Sequence, residues 1–100
     1  MGEYSLVKIG KSSKPGKKMM AMFMNKKTKR LKTTHFGAAG MDDYTITKDK
    51  EQRDRYRTRH AKDLKSGDPT KAGYLSYYIL WGDSTSKKAN ISAYRNRFFR

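Results

Sequence analysis

The chain has 100 residues, with 24 Lys or Arg against 9 Asp or Glu, so its formal net charge is +15. This length allows one domain with a thin core, and a hydrophobic content of 35% with 12% aromatic residues indicates that a few large side chains build that core. The absence of cysteine excludes a disulfide framework and a thiolate metal site. No apolar run approaches the roughly 20 residues of a membrane span, and no signal-peptide pattern is recognisable.

The positive charge is concentrated in the N-terminal third. Residues 1–34 carry ten Lys or Arg against one acid, residues 35–63 carry seven against six, and residues 64–100 carry seven against two. Such an excess repels itself and is most readily tolerated beside an anionic partner. Nucleic acid, an anionic membrane and an acidic protein surface are the candidate partners.

The first half of the chain favours extended structure. Residues 1–18 indicate a basic flexible arm or linker, rich in Gly, Ser, Pro and Lys over residues 10–18, although Tyr4, Leu6 and Val7 are compatible with a short strand. Two β-capable runs, MMAMFMN and LKTTHFG, then flank a basic centre, which predicts a hairpin. Both faces of the first run are apolar, so we expect it to be covered on each side.

The second half favours helices. After a glycine turn at residues 37–40 we expect a short extended piece at residues 44–46, then a helix that starts near Thr47 or Asp49 and runs to about Lys62. Asp68 and Pro69 predict the start of a second helix, in which YLSYYILW is the buried central element. Ser84 or Ser86 caps a last helix. The predicted fold is therefore α+β, with a small basic N-terminal β-hairpin followed by about three helices in a single domain spanning residues 19–100.

The basic stretch at residues 26–32 is the strongest functional signal. Five of its seven residues are cationic, and further lysines lie just upstream. On a hairpin tip such cations can track phosphates; the alternatives are a solvated basic face and a nuclear-import signal, and these interpretations are not exclusive. The predicted polyanion-binding residues are Lys14, Lys17, Lys18, Lys26, Lys27, Lys29, Arg30 and Lys32.

The C-terminal tail combines cations with aromatic rings. Arg95, Arg97 and Phe99 are predicted to dock a partner, since Phe99 falls off the apolar seam of the last helix. The alternative is that Phe99 is simply exposed.

No pattern indicates catalysis. His35 and His60 are the only histidines, and without cysteine they make a poor metal set, so packing or capping is the expected role of each. Asp42 and Asp43 form an adjacent carboxylate pair, for which a turn or helix cap is favoured over an active site. We expect no catalytic residue, no metal and no cofactor, and therefore a protein that is not an enzyme.

Several short sequence motifs in the second half of the chain occur in a recognisable order. HFGAAGMDDYTITKDKEQRDRYRTRH followed by TKAGYLSYYILWG resembles a family of small basic proteins of large nucleocytoplasmic DNA viruses of algae and amoebae. The resemblance covers roughly residues 20–98 and rests on residues 35–38, 43–45, 48–60 and 71–81. It implies a viral protein but does not by itself place it in the capsid, the packaged genome or the infected cell. We expect it in the virion, and in the host cytoplasm or nucleus during assembly.

Two functions follow from the charge and this resemblance. The first is a virion structural protein, a minor capsid or internal component, that binds capsid proteins or other anionic virion surfaces through a basic face. The second is a sequence-nonspecific nucleic-acid-binding protein that condenses or organises viral DNA. The lack of long Lys/Arg tracts favours the first.

Overall fold

The computed structural model describes residues 3–99, so residues 1, 2 and 100 of the predicted ranges lie outside the described residues. Three strands come first, followed by helices, which confirms the predicted α+β class. The strands are β1 (Tyr4–Lys11), β2 (Lys17–Asn25) and β3 (Leu31–Ala38). They form one antiparallel sheet in the order β1-β2-β3.

The sheet is larger than the predicted two-stranded hairpin. The stretch assigned to a basic arm contains β1, which pairs with β2 from Tyr4 opposite Asn25 to Lys11 opposite Met19. Only residues 12–16 separate these two strands. Three strands bury more surface than a lone hairpin, which is marginally stable in water. Residues 4–11 are therefore part of the sheet.

The central strand β2 is buried on one face, whereas the sequence predicted cover on both. Met19, Ala21 and Phe23 are buried, with 7%, 0% and 0% of their surface exposed, and they join the core. The alternate side chains, Met20 and Met22 among them, are only half-buried. This alternation follows from the two-residue period of a strand, because the helices form the core with only one face of the sheet.

The chain then enters α1 (Tyr44–Thr47) and α2 (Lys50–His60), which continues as a 3₁₀ segment (Ala61–Ser66). The predicted extended piece at residues 44–46 is wrong. The Asp43 side chain accepts a hydrogen bond from the Thr45 backbone N–H and starts a helical turn there. Asp49 caps α2 as expected, accepting from the backbone N–H groups of Glu51 and Gln52.

The predicted central helix is present but starts late and ends irregularly. Asp68 accepts from the backbone N–H of Thr70 in a turn, and α3 (Ala72–Leu75) begins only afterwards. A π-helical segment (Ser76–Leu80) follows, and the Trp81 N–H donates to the Ser76 carbonyl at 3.0 Å. A Cβ on Gly82 would lie 2.2 Å from the Tyr78 carbonyl oxygen, so this close passage requires glycine.

The last helix, α4 (Lys87–Phe98), begins where the Ser86 side chain accepts from the Ala89 N–H, as predicted. Tyr94 of α4 is buried and belongs to the same core cluster as Leu75, Ile79 and Phe23. Trp81, 8% exposed, belongs to the same core and stacks on Tyr56, with ring centroids 4.3 Å apart. Among residues 3–99, no helix has the length and apolar character needed to span a membrane.

Candidate polyanion-binding surface

Residues 26–30, here called the basic turn, connect β2 to β3. The Asn25 carboxamide oxygen accepts from the backbone N–H groups of Lys27 and Thr28 at 2.9 and 3.0 Å, which orders the turn. Lys29 adopts the left-handed conformation, with φ of 64°. The side chains of four predicted residues are exposed on this turn: Lys26, Lys27, Lys29 and Arg30.

Two of the predicted polyanion-binding lysines are engaged inside the protein. Lys18 Nζ lies 2.6 Å from Oδ2 of the buried Asp43. Lys32 Nζ donates to Thr70 Oγ1 at 2.7 Å and lies 5.4 Å from the centroid of the Tyr4 ring. Both ammonium groups thus have internal partners, so neither belongs to the exposed cations of the basic turn.

The other two predicted lysines, Lys14 and Lys17, lie at the opposite end of the sheet. Lys14 is in the turn between β1 and β2, and Lys17 is the first residue of β2. Because β2 has nine residues and a strand rises about 3.3 Å per residue, its two ends are about 26 Å apart. The predicted set is therefore divided between the two ends of one strand.

A groove of about 950 Å³ lies between the sheet and α4, near the Lys17 end of β2. We call it the cationic groove. Its lining combines aliphatic side chains, Ile9, Met19 and Ile91 among them, with a set of exposed cations, and no Asp or Glu of residues 3–99 lines it. The exposed cations are Lys11, Lys17, Lys87, Lys88 and Arg95.

The groove lining includes Lys17 and Lys18 of the predicted polyanion-binding set and Arg95 of the predicted docking set, and adds three exposed cations that the sequence analysis missed. Of these, Lys87 and Lys88 occupy the first turn of α4, which contains no acidic residue. A helix N-terminus disfavours cations, because the macrodipole is positive there. Two lysines at this unfavourable position were the sequence pattern that could have identified Lys87 and Lys88 as candidate binding residues. No such pattern marks Lys11, the last residue of β1.

The predicted docking residues do not form one surface. Arg95 and Arg97 are two positions apart on α4 and thus point about 200° apart around the helix. The Arg97 guanidinium lies 5.2 Å from the centroid of the Tyr78 ring. Phe99 is half-buried and packs on Phe23, with ring centroids 5.3 Å apart, so its ring contributes to the core rather than standing free.

The histidines and the paired aspartates have local structural contacts. His35 Nδ1 is 2.7 Å from Ser12 Oγ, and His60 Nδ1 is 3.1 Å from Asp63 Oδ2. Asp43 caps α1, the role favoured for the pair, whereas Asp42 is exposed. In the part of the chain that the structure describes, no three His, Asp or Glu side chains come close enough to hold a metal ion.

Several acidic side chains have ion-pair or hydrogen-bond partners, although six of the nine Asp and Glu residues are exposed. Arg57 donates to Asp83 at 2.8 Å and holds the pKa of that carboxyl below its usual value. Burial disfavours the Asp68 carboxylate, but hydrogen bonds from Thr70 outweigh this effect and lower the pKa of Asp68. Most Lys and Arg side chains are exposed as well. Because Lys and Arg outnumber Asp and Glu by 24 to 9, the surface still carries a large positive charge.

Comparison with known proteins gives one match. The model of a family described as "Family of unknown function (DUF5754)" matches residues 7–60, which include the whole sheet from Val7 onward, α1 and α2. No curated protein matches the chain, and no solved structure matches it.

Proposed function

Because the chain belongs to the DUF5754 family, whose description states no activity, we propose a function from its own surface and from the viral resemblance of its sequence. It is a non-enzymatic structural protein of the virion of a large DNA virus. It binds capsid proteins or other anionic virion components, and it is found in the host cytoplasm or nucleus during assembly.

The observation that carries this proposal is the separation of the two exposed cation clusters. The basic turn lies at one end of β2 and the cationic groove near the other, about 26 Å apart. β2 is paired on both sides, so the sheet fixes this distance. A rigid body with a cationic surface at each end can join two acidic surfaces, which is the task of a cement between larger subunits.

The basic turn also supports a second candidate, sequence-nonspecific binding of viral DNA. Its four exposed cations form no ion pair among the described residues, and each can neutralise a phosphate. Contacts to phosphates alone carry no sequence information. The free protein would then bind any duplex and would lose affinity steeply as salt rises.

Opened virions separate the two candidates. They are treated with nuclease and with increasing salt, and the chain is followed in the shell and in the released fraction. The structural function predicts retention on the emptied shell at salt concentrations that abolish DNA binding, since docking contacts include apolar surface as well as charge. Release together with the DNA contradicts it and supports the second candidate.

Three variants with equal loss of charge make this test specific to the two clusters. A turn variant carries Gln at Lys26, Lys27, Lys29 and Arg30, and a groove variant carries Gln at Lys17, Lys87, Lys88 and Arg95. The control variant carries Gln at four exposed cations elsewhere: Lys50, Arg55, Lys62 and Lys65. The turn and groove variants are expected to be lost from shells at lower salt than the control variant. Equal loss in all three would show that net charge alone holds the protein.

A further inference from the structure

The lining of the cationic groove restricts what it can bind. Aliphatic side chains from both walls, Ile9 and Met19 from the sheet and Ile91 from α4, lie among exposed cations, and the lining contains no aromatic ring. Single-stranded nucleic acid bound in such grooves gains much of its affinity by stacking bases on aromatic rings. This lining instead suits a ligand that carries aliphatic groups between negative charges.

The spacing of side chains along α4 describes that ligand further. Lys87, Ile91 and Arg95 follow at intervals of four residues, so they share one face of the helix. A helix rises 1.5 Å per residue, which puts Lys87 and Arg95 about 12 Å apart along the axis. An extended chain covers that distance in about four residues, and its side chains at i, i+2 and i+4 point the same way.

The strand that lines the other wall also favours an extended ligand. β1 contributes Ile9 and Lys11 to the groove and is an edge strand with β2 as its only neighbour in the sheet. An edge strand presents unpaired backbone N–H and C=O groups, to which an extended peptide can add as a further strand.

Lys87 and Lys88 give an independent reason for a bound anion. Two cations in the first turn of α4 oppose the helix macrodipole, and no acidic residue of that turn offsets them. A carboxylate bound between these lysines would compensate both the charge repulsion and the dipole. Folding alone does not account for lysine at both positions.

We propose that the cationic groove binds an extended acidic segment of a partner protein, with acidic residues at i and i+4 and an aliphatic residue at i+2. This inference rests on the proposed structural function and names the kind of partner that one of the two clusters takes. The carboxylates contact Lys87, Lys88 and Arg95, and the aliphatic side chain packs on Ile91.

The experiment measures binding of the full chain to four probes by fluorescence anisotropy or sedimentation. The first is a peptide with Asp at i and i+4 and Leu at i+2, and the second replaces that Leu with Ser. The others are an oligo-dT of equal charge and vesicles of phosphatidylserine in phosphatidylcholine. The proposal predicts that the Leu peptide binds about tenfold more tightly than the Ser peptide, and that its affinity falls less with salt than that of oligo-dT.

Variants locate the site without unfolding the protein. Lys88→Glu replaces an exposed cation in the first turn of α4 with an acid that the helix dipole favours. It should therefore keep or raise the melting temperature while it weakens the Leu peptide more than tenfold. Ile46→Ser removes an aliphatic side chain of the groove that is 55% exposed, and should weaken the Leu peptide but not oligo-dT. The turn variant should bind the Leu peptide as the unmodified chain does.

Several results would overturn the proposal. Equal affinity for the Leu and Ser peptides would show that the aliphatic contact does not contribute to binding. If the main effect of Lys88→Glu is loss of oligo-dT or vesicle binding, the groove binds nucleic acid or lipid instead. If no peptide binds but the chain stays on emptied shells, the groove proposal fails and the structural function stands. If the Leu peptide binds but the chain leaves with the DNA, the structural function alone fails.

Discussion

Lys18 Nζ lies 2.6 Å from Oδ2 of Asp43, a carboxylate with no exposed surface, whereas the adjacent Lys17 is exposed in the cationic groove. Successive side chains of a strand point to opposite faces, so two neighbouring lysines of β2 have different environments. The Lys18 ammonium group is held by a buried carboxylate, whereas the Lys17 side chain is exposed among the cations of the groove.

This contrast predicts different effects for two chemically identical substitutions. Lys18→Gln leaves the buried Asp43 carboxylate without its cation and should lower the free energy of unfolding by about 3–5 kcal/mol. Lys17→Gln should change stability by less than about 0.5 kcal/mol and should weaken binding of the acidic peptide. Denaturant unfolding of both variants checks this, and equal stability would show that the ion pair is dispensable.

The order of elements was accessible from the sequence because local signals marked it. Asp49 and Ser86 cap helices as predicted, and the β-capable run MMAMFMN marks a strand. The extended structure predicted for residues 44–46 was wrong because it followed the β-propensity of those residues, which the Asp43 cap on the following turn outweighs.

The candidate site was much less accessible. The basic turn is continuous in sequence and was found. The cationic groove joins the ends of β1 and β2 to α4, more than 60 residues later in the chain, and no local pattern indicates that packing. The internal roles of Lys18 and Lys32 depend on Asp43 and Thr70, which only tertiary structure brings near.

Asn90 is a buried polar residue that holds the turn between Trp81 and α4. Its Nδ2 donates to the carbonyls of Ile79 and Ser84 at 2.9 and 2.7 Å, and its Oδ1 accepts from the Ser84 N–H at 3.0 Å. Asn90→Ala leaves these backbone groups without hydrogen-bond partners and should therefore destabilise the fold by about 2–3 kcal/mol. Asn96→Ala, at an exposed position of the same helix, is the control and should be close to neutral in thermal unfolding.

Trp81 closes the core against α2 through its stack on Tyr56. Trp81→Ala should therefore cost about 3–5 kcal/mol, a large part of the stability of a small domain. Leu31→Ala, at an apolar position that is 61% exposed, provides the comparison and should have little effect. A melting temperature for Trp81→Ala within a degree or two of the unmodified chain would contradict this description of the core.

Lys29 sits where the backbone favours glycine. A non-glycine residue in the left-handed region costs about 1–2 kcal/mol, whereas glycine loses about 0.5–1 kcal/mol in chain entropy. Lys29→Gly should therefore stabilise the protein by about 0.5–1 kcal/mol while it weakens binding to DNA. Lys26→Gly is the control, since Lys26 is not among the residues with positive φ. Lys26→Gly removes the same charge and should not gain stability. A loss of stability in Lys29→Gly would show that the backbone at Lys29 is not strained.

The salt dependence of DNA binding tests which of the predicted cations contact phosphate. Each phosphate contact contributes about 0.9 to the slope of log affinity against log salt on duplex DNA. The turn variant removes four exposed cations and should flatten the slope by about 2–3, because not every cation reaches a phosphate at once. Lys32→Gln should leave the slope unchanged, since its ammonium group is held by Thr70 Oγ1. The groove variant should flatten it by less than the turn variant, because the groove is proposed to hold an acidic peptide rather than phosphates. If Lys32→Gln flattens the slope by about 0.9, the value for one phosphate contact, Lys32 must release Thr70 and bind phosphate in the complex. The division between internal and exposed cations would then not hold when DNA is bound.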